Sequence, residues 1–477
     1  MALTVIKGGT IITMGPSRRI IDNGAVVVKD DMVLDVGTLK EIKQKYSAER
    51  EIDASGKIVM PGLFDAHAHA GHSLLKSLGM HNEKWYKACE VIYSQASTPE
   101  FWEADALLAS LERLKFGTTC GVTFMGGGDS VMRLDDPVYA SKHVEAVEKV
   151  GIRTFLAVGP RRPPYPRKYS RWSGGSRRDY MVSFEDMLEN SGKIIREFHG
   201  ANDGKIHIAT MFPVPHPERK PIMGAELSDL KKQSKASYEL AKDNNLLFTM
   251  DGHDRGTIKF CHEELGLTGE NSLFSHSTDL MPEEIEICAK THTSIAHNPS
   301  AVASILGRCP VPELIDAGVF VALGSDAAAP DRSFDMFRHM FQAMRYHRRY
   351  YRDSRVLPPG KVLEMTTIDA ANALGVGDSL GSIEKGKKAD LIIIDADKPH
   401  LHPFNMPVDR VTYFANGNDV DTVMVNGEIL MQGRQVLNID AEKIFSMAND
   451  EISKAVERSG IKDLYDLTDN YWGKSRY

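Results

Sequence analysis

Short apolar runs rich in Val, Ile and Thr fill the first sixty residues: Leu3–Met14, Ala25–Val28, Met32–Val36 and Lys57–Met60, separated by polar or glycine-containing turns. That texture predicts strands. Only Lys29-Asp30-Asp31 separates the second run from the third, which predicts a hairpin. After Pro61-Gly62 the pattern changes. Runs at Thr118–Thr123, Arg153–Ala157, Ile206–Ala209, Leu246–Met250 and Val319–Leu323 alternate with longer stretches, such as Phe101–Lys115 and Ser228–Lys242, whose apolar residues recur at helical spacing. Strand–helix alternation over roughly 300 residues predicts a parallel α/β body, and the length suits a (β/α)8 barrel. Near Gly386 strand texture returns in Ala389–Asp395 and Val420–Leu430, and Ala441–Arg458 reads as a helix. The β-rich ends flank one α/β body and are expected to join in one small sheet domain.

Composition narrows the function. The chain has 477 residues, with 58 Lys+Arg against 65 Asp+Glu and a net charge of −7. A mildly acidic balance argues against a general nucleic-acid binder. Five widely spaced cysteines without a CxxC pair are not a secreted disulfide framework. Met1–Gly15 lacks the features of a secretory signal, and no apolar run approaches the roughly 18 residues of a membrane span. A cytoplasmic protein with neither nucleic-acid nor membrane partners is the expectation.

The chemistry-bearing signals fall at strand ends. In Pro61-Gly62-Leu63-Phe64-Asp65-Ala66-His67-Ala68-His69, two histidines at i and i+2 share a strand face and can converge on one cation. Such a pair alone arises by chance, but it lies at the end of the first body strand, where barrel active sites form. Leu323-Gly324-Ser325-Asp326 is an apolar strand ending in a carboxylate. A lone Asp there is usually a turn or cap; with HxH upstream it becomes a metal ligand and proton acceptor. His276 and His297 each close a further apolar segment.

These stretches resemble the amidohydrolase superfamily, in particular its cytosine deaminase, adenosylhomocysteine deaminase and triazine chlorohydrolase branch. The matching segments are PGLFDAHAHAGHSLLKSLG, FGTTCGVTF, LFSHSTDL, SIAHNPSA, GVFVALGSDAAAP, and LGSIEKGKKADLIIID followed by VDTVMVNGEIL. The resemblance implies a (β/α)8 TIM barrel with a β-sandwich formed from both chain ends: residues 1–60 and 385–440 in the sandwich, 61–384 in the barrel, 441–477 a helical tail. It implies His67 and His69 as metal ligands, Asp326 as ligand and proton acceptor, His276 as the group polarising substrate, and His297 as a substrate-side residue. The carboxylated lysine that bridges a second metal in some relatives has no counterpart in Ile206–Pro213, so one divalent ion is expected: Zn²⁺, with Fe²⁺, Mn²⁺ or Co²⁺ as alternatives. The implied reaction is hydrolysis of a C–N bond in a small N-heterocyclic or related nitrogenous compound. Amide, urea, (thio)carbamate or dechlorinating hydrolysis is the alternative, and a metal-free scaffold a remote one.

One departure matters. The branch ends its fifth strand with His-x-x-Glu, whereas this chain reads Thr249-Met250-Asp251-Gly252-His253-Asp254-Arg255. Aligned without a gap, Asp251 takes the ligand position and Asp254 that of the proton-shuttling glutamate. Shifted by two residues on the same strand face, His253 is the ligand. Imidazole suits zinc and a carboxylate favours a harder ion. His253 is taken as the ligand, with Asp251 as its alternative or as a substrate contact. His72 and Trp85, after the first barrel strand, are candidate substrate contacts, although structural roles are the ordinary reading. Arg161–Arg178, basic, aromatic and rich in Pro and Gly, reads as a lid or subunit contact. A homo-oligomer is expected.

Overall fold

A computed structural model of the chain describes residues 3–128, 131–302, 307–469, 471–473 and 475. Both chain ends enter one nine-stranded sheet. Its N-terminal strands are β1 (Leu3–Ile12), β2 (Ile20–Lys29), β3 (Met32–Thr38), β4 (Arg50–Asp53) and β5 (Lys57–Pro61). The β2–β3 hairpin forms as expected, closing between Lys29 and Met32.

The body contributes β6 (Leu63–Asp65), β7 (Thr118–Phe124), β8 (Arg153–Val158), a hairpin of β9 (Arg167–Ser173) and β10 (Ser176–Val182), then β11 (Ile206–Met211), β12 (Phe248–Met250), β13 (Ser272–Ser275), β14 (Ser294–His297) and β15 (Val321–Leu323). The return strands are β16 (Leu391–Asp395), β17 (Val420–Val425), β18 (Glu428–Gln432) and β19 (Gln435–Val436). The end sheet runs β19-β18-β17-β16-β5-β1-β2-β3, with β4 beside β1. The two halves meet where β5 pairs antiparallel with β16, Met60 opposite Ile392. Val26, Val28, Val59, Leu391 and Ile393 pack in one core on this sheet.

The eight body strands other than the β9–β10 hairpin form a parallel sheet in the order β15-β14-β13-β12-β11-β8-β7-β6. Every residue of β7 and β8 is buried, as strands covered on both faces require. Backbone bonds from Ala66 N to the Leu323 carbonyl and from Asp326 N to the His67 carbonyl, each 2.9 Å, join the last strand to the first and make a (β/α)8 barrel. Helices Pro99–Lys115, Pro137–Val150, Phe184–Phe198, Gly224–Asp243, Pro282–Thr291 and Met336–Tyr351 lie between or after its strands. The second starts on an Asp136 cap and the third on a Ser183/Asp186 capping box.

Arg161–Arg178 is not an irregular loop: its greater part is the β9–β10 hairpin. Gly174 and Gly175, at φ 54° and 81°, make its turn, since a two-residue hairpin loop of this kind needs left-handed backbone. Among the described residues no helix is long and apolar enough to cross a membrane.

Candidate metal centre

The chain past β6 stays extended because Ala68 and Ala70 bond to the backbone of Phe124 at the end of β7, and His69 itself bridges to Phe124. Alternation therefore continues, and His67 and His69 turn their imidazoles the same way. On the strand that closes the ring beside β6, Asp326 follows β15, with its amide fixed on the His67 carbonyl. Gly324, just before it, passes so close to its neighbours that a Cβ would meet Asn298 Oδ1 at 2.2 Å and His67 Cβ at 2.9 Å. His276 and Asp326 both hold positive φ, 62° and 57°. Such backbone is costly for residues other than glycine and is commonly stored at functional sites.

Five side chains converge. His67 Nε2 lies 3.3 Å from Asp251 Oδ1 and 3.5 Å from Asp326 Oδ1. His69 Nε2 lies 3.1 Å from Asp326 Oδ1 and 3.6 Å from Asp251 Oδ2. His276 Nε2 lies 3.1 Å from Asp251 Oδ1 and 3.8 Å from Asp326 Oδ1. Ser275 Oγ donates to Asp251 Oδ1 at 3.1 Å, and an Arg332 nitrogen sits 3.4 Å from Asp326 Oδ2. His67-His276-Asp326 and His67-His69-Asp251 are two overlapping sets whose donor atoms lie within 4.8 Å of one another.

The electrostatics follow from burying two carboxylates together. Burial pushes both upward, but the imidazoles of His67 and His69 beside Asp251, and Arg332 and His276 beside Asp326, hold both well below the usual carboxylate range. Burial pushes His67 down, yet Asp251 and Asp326 outweigh it and raise it to about 9. Burial and then the neighbouring His69 hold His72 well below its ordinary value.

The residues fit a divalent cation. Metal–ligand bonds of about 2.0–2.2 Å place neighbouring donors of one ion roughly 3–3.6 Å apart, which matches the spacings around His67 and His69. Both ring nitrogens of His67 are buried without a hydrogen-bond partner, an expensive arrangement unless something else satisfies them. His69 Nδ1 lies 3.1 Å from the Gly126 carbonyl. The Gly128 amide lies 3.1 Å from the same nitrogen, and together these backbone groups hold the ring with Nε2 facing the cluster, the orientation metal-ligating histidines adopt.

The remaining expected residues fall in three places. His72 and Trp85 line the cavity above the cluster, about 680 Å³, with their rings 5.3 Å apart and His72 Nδ1 held 2.7 Å from the Tyr93 hydroxyl. His253 is in neither donor set: its Nδ1 meets Thr257 Oγ1 at 3.0 Å and its ring stacks on Phe274. The expected continuation of the strand through 253 fails because β12 ends at Met250 and Gly252, at φ 91°, turns the chain. It is Asp251 that reaches His67 and His69. Asp254 does not reach the cluster: it accepts from His216 Nδ1 at 3.1 Å and from Arg219, on the wall of a space of about 510 Å³ that Asp251 and His276 also line. His297 is fully buried and faces His347, its Nε2 at 3.4 Å, instead of the cavity. Sequence reasoning missed Arg332 and Tyr93, which reach the site from a loop and a helical turn with no motif to mark them.

A parallel barrel with HxH beyond its first strand and a carboxylate beyond its last is the architecture of a metal-dependent hydrolase. The chain matches the amidohydrolase family over residues 58–430 and belongs to it. It is a hydrolase acting on carbon–nitrogen bonds. It is 30% identical to a 5-methylthioadenosine/S-adenosylhomocysteine deaminase of Pelotomaculum thermopropionicum, across 96% of this chain and 100% of that one. It is 29% identical to a 5'-deoxyadenosine deaminase of Methanosarcina mazei, across 96% and 99%. Among solved structures it resembles a zinc-bound adenosine deaminase from Xanthomonas campestris, with a TM-score of 0.79, 21% identity, and 95% and 98% of the two chains covered. The zinc complex of atrazine chlorohydrolase from Arthrobacter aurescens TC1 gives 0.74 and 21%, covering 94% and 100%; these two likenesses concern the fold.

Proposed function

We propose that His67, His69, Asp251 and Asp326 hold one divalent ion, and that the chain removes an amino group or amine from an N-heterocyclic compound by hydrolysis. The observation that carries this reading is the convergence of these four side chains and His276 at the floor of one cavity; the deaminase relatives point to the substrate class. An ion bound there would supply Lewis acidity and lower the pKa of a coordinated water. Asp326, buried and ionised, is the base placed to take that water's proton. Asn298 Nδ2 lies 3.5 Å from His276 Nδ1, and donation there leaves the ring proton on Nε2, now 3.1 Å from Asp251 Oδ1; with Asp251 engaged by an ion, His276 would be free to meet negative charge developing on the substrate. Asp254 is engaged by His216 and Arg219, so return of the proton to the leaving nitrogen falls to Asp326. Two carboxylates among the four ligands suit Fe²⁺, Mn²⁺ or Co²⁺ better than they suit Zn²⁺.

The position of Asp254 favours one second reading: release of a leaving group that needs no proton from strand five, such as chloride. A screen of amino-purines, amino-pyrimidines, chlorotriazines, ureas and thiocarbamates, scored separately for ammonia, amine and chloride, decides between them. Ammonia from an amino-heterocycle is expected. Purified protein with no bound divalent ion and no gain of activity on adding one would overturn the reading.

A further inference from the structure

The cavity over the cluster does not end at the barrel mouth. Tyr86, Asp251, Gly252 and His276 also line an adjoining space of about 510 Å³, which in turn shares Arg162, His216 and Arg219 with a cleft of about 840 Å³. That cleft lies between the chain after β8 and the chain after β11. One part of its wall is apolar, formed by Tyr165, Ile222 and Leu230 with Pro163, Pro164 and Pro215, which carry no backbone N–H. Charged groups stand with them, including Lys220, Glu226 and Asp229.

The helix along this cleft is buried more deeply at its C-terminal end, although Leu230 near its start also touches the core. Gly224–Asp243 has its buried residues, Ser234, Ser237 and Ala241, in its second half, while Leu227 and Leu230 in its first half are only partly buried. Protein interiors close-pack, and a space of several hundred Å³ with an apolar stretch of wall, adjoining through shared lining residues a second space beside the polar centre, has the size and lining of a ligand site.

Resting on the hydrolase reading above, we infer that the cleft receives the apolar end of the substrate. The reacting nitrogenous head would sit on the cluster, the middle would pass the His216–Asp254–Arg219 belt, and an alkyl or aryl tail would lie against Tyr165, Ile222 and Leu230. The substrate class is then an amino-heterocycle bearing an extended apolar substituent.

The test uses 6-aminopurines substituted at N9 with methyl, butyl or octyl, assayed for ammonia release and, separately, for binding by calorimetry. In the wild type kcat/KM or affinity should rise roughly tenfold or more from methyl to octyl, since each buried methylene adds binding. In Leu230→Asp and Ile222→Asp the octyl-to-methyl ratio should collapse toward one. Turnover with no dependence on chain length would overturn the cleft assignment and leave the hydrolase reading standing. If no member is turned over, the hydrolase reading fails for this class, and binding alone judges the cleft: chain-length dependence lost in Leu230→Asp supports it, while equal or absent binding overturns it. A change of oligomeric state in Leu230→Asp with the chain-length ratio unchanged would assign the cleft to a second copy and also overturn it.

Discussion

Two groups of buried carboxylates lie almost side by side in this barrel, and they are built in opposite ways. Asp65 ends β6 two residues before His67, and it is saturated: Arg113 Nε and a terminal nitrogen donate to Oδ2 at 3.2 and 2.8 Å, Ser325 Oγ at 2.8 Å, and Ser325 N to Oδ1 at 2.8 Å. Arg113 has further partners in Thr123 Oγ1 and the Val122 carbonyl. One residue beyond Ser325, Asp326 instead faces imidazoles and Asp251, with both nitrogens of His67 left over. A buried ion pair is tolerable when every donor and acceptor is used. A buried set with two carboxylates side by side and imidazole nitrogens lacking hydrogen bonds is suited to a cation. The first group fixes β6 against β15; the second is what that fixed geometry presents.

Breaking the two groups should therefore give different losses. The largest is expected for His67→Ala, which should empty the metal site and leave turnover below about 1% of wild type, while far-UV circular dichroism is unchanged. Retained metal in this variant would remove His67 from the ligand set. Next, Arg113→Ala leaves Asp65 buried and unpaired and should cost about 3–5 kcal/mol in denaturant unfolding, yet the protein that remains folded should still take up metal. Metal loss without destabilisation would merge the two groups into one.

The smallest effect concerns Asp105, a third arrangement. It is fully buried, has no cationic hydrogen-bond partner among the described residues, and accepts from the amides of Gly71, Ser73 and Leu74 in the loop that carries His72. Burial raises it to about 6, opposed by those three amides. Because its folded pKa lies above the unfolded value, the folded state binds the proton more tightly. Its contribution is greatest at low pH and declines as pH rises from about 4 to about 6. The stability of wild type relative to Asp105→Asn should fall over that window and level off above it. A difference constant with pH would contradict this.

The parts that were legible in the sequence are those where periodicity reports directionality. Strand alternation placed His67 and His69 on one face, an apolar run ending in Gly-Ser-Asp marked Asp326, and continuous apolar segments marked the barrel strands. What was not legible depended on where alternation stops. Gly252 turns the chain one residue after Asp251, so the two-residue shift that made His253 attractive crosses a break in the strand. Thr257 and Phe274, which engage His253, are four and twenty-one residues away and leave no local signal. The Ser-Gly-Gly-Ser turn of the β9–β10 hairpin was in plain view; its basic flanks suggested a loop. Arg332 reaches Asp326 from a loop beyond β15, which only the tertiary fold can show.

The proposal that Asp251, the carboxylate just past β12, belongs to the metal site is the one on which the account turns. Metal stoichiometry of Asp251→Ala and His253→Ala, stripped with a chelator, reloaded with Mn²⁺, Fe²⁺, Co²⁺ or Zn²⁺ and dialysed, tests it directly. Asp251→Ala should retain far less than one equivalent of any ion, while His253→Ala should retain close to one. Full retention by Asp251→Ala with loss from His253→Ala would contradict the claim and return the imidazole to the ligand set.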